Sequence, residues 1–172
     1  MFTVDAILSQ HFAALAGRPL LTPPIRSVLR RLLREDRFIR FAEQYPNLQG
    51  IDFVEQVLET LHCTYTVSDR ERENIPVSGR VMIIANHPIG SLDGLALLKL
   101  VHDCRADVRI VANDLLETIK PLRPCLLSVK VMAGISLKEQ ITRIDQALAR
   151  EEAVIIFPAS EVSRLSPQGI RD

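Results

Sequence analysis

The chain has 172 residues, about half of them apolar, and its 21 basic and 21 acidic side chains cancel. That length suits one domain with a sizeable buried core, and the balanced charge gives no overall field to draw in nucleic acid. Uninterrupted apolar runs stay under ten residues, short of the roughly 20 needed to span a bilayer. The opening "MFTVDAILSQHFAALAG" has no basic stretch ahead of its apolar part, unlike a secretory signal, so the expectation is a cytoplasmic chain. Cys63, Cys104 and Cys125 are odd in number and widely spaced, which suits reduced thiols better than a disulfide framework. His62, Cys63, His102 and Cys104 lack CxxC or HxxxH spacing, so no metal site is expected.

Residues 1–76 read as a helical region. From Ile25, the apolar set Ile25, Val28, Leu29, Leu32 and Leu33 follows helical spacing, while Arg26, Arg30, Arg31, Arg34, Arg37 and Arg40 supply charge. Pro23-Pro24 introduce this segment and Pro46 closes it, because proline lacks the amide that a helix interior needs. Such a basic amphipathic helix either lies on an anionic membrane surface or covers a core. A second helix follows with Ile51, Val54, Leu58 and Leu61 on one face and Gly50 and Asp52 at its start.

Residues 77–172 read as an α/β core. "VMIIA" (81–85) is a short apolar run bounded by turn residues, hence a buried strand, and 93–102 is an apolar helix. "DVRIVAN" (107–113) and "LLSVKVMA" (126–133) are the next strands. Ser136-x-x-Glu139 forms a capping box ahead of Leu137, Ile141, Ile144 and Leu148, a helix to about Arg150, and "AVIIF" (153–157) is the last strand before Pro158. Strands alternating with helices predict a largely parallel or mixed sheet covered by helices. With only eight residues after Arg164, the core is expected to be incomplete at its C-terminus, with strand 153–157 left at an unpaired edge.

Reactive side chains gather right after two of the predicted strands, in "NHPIGSLDG" and "PASEVSR", and the carboxyl ends of strands are where open α/β sheets bind ligands. A histidine can take a proton near neutral pH but needs an orienting partner. Asp93, six residues beyond His87 across a glycine-containing loop, can supply one and leave the other ring nitrogen free for a substrate hydroxyl or amine. No GxSxG elbow provides a protein nucleophile. The ordinary alternatives are a surface histidine, a helix cap at Ser91 or Asp93, turn residues at Asn86 and Gly90, and a solvated pair at Glu161 and Arg164.

Together, "NHPIGSLDG" and "FPASEVSR", each after a predicted strand, resemble the lysophospholipid and glycerol-phosphate acyltransferase superfamily, and most closely its hemolysin-like and ornithine-lipid-type branch. Five residues separate His87 from Asp93, as in that branch, against four in most of the superfamily. Phe157, Pro158 and Ser163 match the second motif in place, while Glu161 and Arg164 follow the branch pattern FPAGEVSR and Ser160 stands where that pattern has glycine. The resemblance implies acyl transfer from a thioester, on coenzyme A or acyl carrier protein, to a lysolipid or related polar lipid at the inner face of the membrane, with no bound cofactor. It implies His87 as general base and Asp93 as its orienter. Asn86, Gly90, Glu161, Ser163 and Arg164 would then bind substrate, Arg164 through forked donors suited to phosphate or carboxylate. The competing readings are a catalytically silent lipid- or partner-binding domain of the same fold and a thioesterase.

Overall fold

The computed structural model describes residues 35–87, 90–113, 116–129, 137–158, 164–166 and 169–171. The helical segment expected from Ile25 enters this range only at α1 (Glu35–Gln44), and Arg26, Arg30, Arg31 and Arg34 lie outside the described residues. Phe41 of α1 meets Phe53 edge-on at 5.6 Å, a favoured aromatic geometry that docks α1 on α2 (Gly50–Thr60). Val54 and Leu58, one turn apart on α2, are buried. The helix closes with a Schellman turn, in which the Cys63 amide donates to the Leu58 carbonyl and the His62 amide to that of Glu59, both at 2.9 Å. His62 takes the left-handed conformation (φ 52°) usually left to glycine at that position. A short α3 (Asp69–Arg72) follows, started by a capping box between Ser68 and Glu71.

The strands are β1 (Val81–Ile84), β2 (Val108–Asn113), β3 (Leu126–Val129) and β4 (Ala153–Ile156). They form an all-parallel sheet in the order β1-β4-β2-β3. The predicted α/β class holds, and each strand begins within a residue of its predicted start, with 130–133 of the third predicted strand outside the described residues, but β4 is not at an edge. It pairs with β1 on one side and β2 on the other, and Ala153, Val154 and Ile155 are fully buried; among the described residues the edges are β1 and β3. Sequence order hides this because the last strand inserts between two earlier ones.

The crossover from β1 to β2 runs through α4 (Ser91–His102), and that from β3 to β4 through α5 (Leu137–Ala149). They step across the sheet in opposite directions, so right-handed connections put the two helices on opposite faces. On one face Leu98 and Val101 of α4 and Val54 of α2 pack on Val108, Ile110 and Ile155. On the other, Ala147 of α5 packs on Leu127 and Val154. Each fully buried Leu, Ile or Val contributes about 1.5–3 kcal/mol through area removed from water. Met82 and Ile84 of β1 stay 42% and 66% exposed. Two 3₁₀ turns (Leu116–Thr118 and Lys120–Cys125) carry the chain from β2 to β3 and bury Leu122 and Cys125; burial pushes the Cys125 thiol up. A terminal hairpin, β5 (Arg164–Ser166) with β6 (Gly169–Arg171), is an antiparallel pair outside the main sheet that the periodicity did not suggest.

Arg105 binds the amino ends of three strands together. Its side chain is 2% exposed. It donates to the carbonyls of Pro76 and Gly79 before β1, to both carboxylate oxygens of Asp107 before β2, and to the carbonyl of Glu151 before β4, at 2.7–3.1 Å. The hydrogen bonds from Arg105 hold the Asp107 carboxyl below its ordinary range, with burial opposing and the guanidinium charge adding to the effect. Glu151 (φ 63°) is the left-handed residue of a second Schellman turn, which ends α5 through Glu152 to Ala147 and Glu151 to Leu148.

Replacing Arg105 by Met should cost about 3 kcal/mol, because three backbone carbonyls and the Asp107 carboxylate lose a charged donor that is itself closed off from water. Because the folded-state pKa of Asp107 is depressed, its stabilisation is complete above the ordinary aspartate pKa and is lost as pH falls through the lowered folded value. Urea melts should therefore show Asp107→Asn less stable than wild type at neutral pH, with the gap closing in acid. Glu151→Gly and His62→Gly should each raise stability by about 0.5–1 kcal/mol in the same assay, by relieving a left-handed non-glycine residue.

Candidate active site

Parallel pairing in register places Ile84 beside Ile156, and the Ala85 amide extends the pairing by donating to the Ile156 carbonyl at 3.2 Å. The two chains then leave the same edge of the sheet side by side. His87 lies three residues past the end of β1 and Phe157 one past the end of β4. Their rings meet with centroids 4.4 Å apart and planes inclined at 34°.

Between His87 and α4 the chain turns at Gly90, which is buried with φ 92° and ψ −134°. That conformation is essentially closed to residues with a Cβ. Gly90 caps α4 without a side chain, and the Gly94 amide reaches back to its carbonyl at 3.5 Å. Asp93 therefore falls in the first turn of α4, where the positive end of the helix complements its charge. Its Oδ1 lies 2.7 Å from His87 Nδ1. Solvent reaches neither atom, although the two side chains remain 21% and 19% exposed. The carboxylate thus engages the imidazole through Nδ1, which leaves Nε2 as the ring nitrogen that Asp93 does not approach.

Gly94 gives the imidazole a bare stretch of helix to lie against. A methyl group built there would touch Ile110 Cδ1 at 3.5 Å, His87 Cε1 at 3.7 Å and Phe157 Cε2 at 3.8 Å. The strand, the loop and the helix thus converge on one ring, with a carboxylate on one nitrogen and an apolar wall beside it.

Of the residues expected to form the site, His87 and Asp93 come together, Gly90 makes the turn between them, and Asn86 is exposed just before His87. Glu161 and Ser163 lie outside the described residues, and Arg164 is described only through its backbone, which opens β5 opposite Arg171. The contact of Phe157 with the imidazole, and the position of Gly94 beside it, went unpredicted. Phe157 was legible as a motif residue and as the end of an apolar run but not as a neighbour of the base, and Gly94 only as the residue directly after the aspartate.

The site is thus a paired histidine and aspartate beyond the carboxyl end of one strand of a parallel α/β sheet, and no described helix is long and apolar enough to cross a membrane. The chain belongs to the acyltransferase family whose model, described as "Acyltransferase", matches residues 7–171. Two curated relatives, the lyso-glycine lipid O-acyltransferases of Phocaeicola vulgatus and Bacteroides thetaiotaomicron, are 28% and 29% identical to it over 147 residues, or 85% of this chain. The match covers 52% and 53% of the two relatives, so the chain spans about half the length of the curated relatives it matches. No solved structure matches.

Gly90→Ala should destabilise the protein by about 1–3 kcal/mol, the usual cost of forcing a Cβ into such a backbone conformation. Equilibrium denaturation measures it, and an unchanged midpoint would mean that the loop relaxes to another path.

Proposed function

We propose that the protein transfers a fatty acyl group from an acyl thioester, on coenzyme A or acyl carrier protein, to the hydroxyl of a lysolipid. The observation that supports this most is the 2.7 Å pairing of His87 Nδ1 with Asp93 Oδ1, which leaves Nε2 to act as a base. The O-acyltransferase names of both relatives favour a hydroxyl over an amine acceptor.

In this reading Nε2 takes the proton from the acceptor hydroxyl as its oxygen attacks the thioester carbonyl, and the carboxylate of Asp93 steadies the imidazolium that forms. The tetrahedral oxyanion needs a donor, for which a backbone amide near Gly90 is the proposed candidate. Collapse expels the thiolate, which recovers the proton from His87, so the products are an ester and a free thiol. Arg164, with Glu161 and Ser163, would hold an anionic headgroup; Asn86 and Gly90 would line the acceptor side. No bound cofactor is needed. The donors are cytoplasmic and the acceptor is a lipid, so the enzyme would work on the inner membrane surface. There the arginine-rich segment from Ile25 to Arg40 could add about 1 kcal/mol per basic residue near anionic lipid.

Thioester consumption by the full-length protein, measured with and without a lysolipid, tests the assignment. Release of thiol that depends on acceptor and yields acylated lipid is the expected result. Release without acceptor would mean a thioesterase, and no release at all a silent binding domain. His87→Ala should lower kcat by about 100- to 10,000-fold with the fold retained, and Asp93→Asn should also remove most activity. A His87→Ala enzyme within about tenfold of wild type would overturn the general-base role.

A further inference from the structure

We infer that Phe157 is a positioning residue for the base: its ring fixes the plane of the His87 imidazole, which the close pairing with Asp93 alone leaves free to rock. The inference rests on the acyl-transfer reading for its kinetic consequence, but its structural content stands apart from it.

A histidine side chain has two rotatable bonds. One short contact at Nδ1 restrains a single distance, so coupled rotation about both bonds can keep the 2.7 Å contact to Asp93 while swinging Nε2 through an arc. A second restraint that acts on the face of the ring removes that freedom. Phe157 supplies it as a tilted ring at a centroid distance of 4.4 Å with the planes 34° apart, close enough for its face and edge to bear on the imidazole. Gly94, which has no Cβ, leaves open the space beside the Cε1 edge that a methyl group would reach to within 3.7 Å, so the restraint on the plane of the ring falls to Phe157.

Phe157 is itself well held. It directly follows β4, the doubly paired strand, and it is half-buried against the main core cluster. Its side chain is flat and carries no donor or acceptor, so it confines the imidazole without competing with Asp93 or the substrate for either nitrogen. It also belongs to the second motif loop, while His87 belongs to the first. Alignment of the base thus depends on the strand that carries the second loop, and misalignment on the ångström scale is the kind of change that costs turnover steeply.

The test uses Phe157→Leu and Phe157→Tyr in the full-length protein, with two readouts. The first is the NMR spectrum of the labelled imidazoles; the sequence has four histidines, and loss of one set of signals in His87→Gln assigns the relevant one. In wild type, His87 ring protons should show an aromatic ring-current shift and a nuclear Overhauser contact to Phe157, both lost in Phe157→Leu and kept in Phe157→Tyr. The second is kinetic. Phe157→Leu should lower kcat about 10- to 100-fold with both Michaelis constants within about twofold, and Phe157→Tyr should restore most of it. Absence of the ring contact in wild type would overturn the inference even if no variant folds. So would a Leu variant with normal kcat, or a Tyr variant as impaired as Leu, since either result reduces Phe157 to core packing. If the wild type transfers no acyl group, the acyl-transfer reading fails, and the spectra alone decide whether Phe157 orients the ring.

Discussion

Parallel pairing of β1 with β4, in the register that sets Ile84 against Ile156, is the constraint on which the site depends. Parallel strands leave a sheet at the same edge, so two loops distant in sequence have to emerge side by side. A slip of one residue would shift the second loop by about 3.3 Å and send Phe157 to the opposite face. Neither loop can form the arrangement alone. The first carries the base and its carboxylate, and the second carries the ring that lies against the base.

The opposite edge of the sheet is organised by a different kind of chemistry. One guanidinium, nearly closed off from water, collects backbone carbonyls ahead of β1 and β4 and the Asp107 carboxylate ahead of β2. A charge in that setting is tolerable only when its donors are matched, and here carbonyls and a carboxylate match them. The two edges therefore divide the work. The amino edge is cross-linked through polar contacts, and the carboxyl edge carries the unusual backbone of Gly90 and a half-exposed histidine.

Much of this was legible in the sequence because local pattern decides local structure. The runs 81–85, 107–113 and 153–157 are short, apolar and bounded by turn or proline residues, and each begins or ends within a residue of an observed strand. Asp93 was legible as a partner for His87 because a glycine turn followed by the first turn of a helix returns the chain on itself. Strand order was not legible, since nothing in "AVIIF" records that its neighbours are residues 81–84 and 108–110. The left-handed positions at His62 and Glu151 escaped notice because helix ends of this kind usually announce themselves with glycine. Ser68-x-x-Glu71 carried the same capping signature as Ser136-x-x-Glu139, but it stands before a helix of four residues with no apolar stripe to draw attention to it.

The central position of β4 also sets an order of assembly. Of the four described strands of the sheet, β4 is the last to leave the ribosome, and it must enter between two strands already made. Until it does, β1 has no partner, the facing edge of β2 is open, and the apolar side chains meant for Ile155 and Val154 have nothing to rest on. Contacts that span this much chain close slowly and leave association-prone surface exposed meanwhile. His87 and Asp93, only six residues apart, can meet early, whereas the aromatic wall follows only once β4 has been made. The finished site therefore reports that the sheet has closed, and a nascent chain stalled before residue 153 would carry the chemical groups without the geometry.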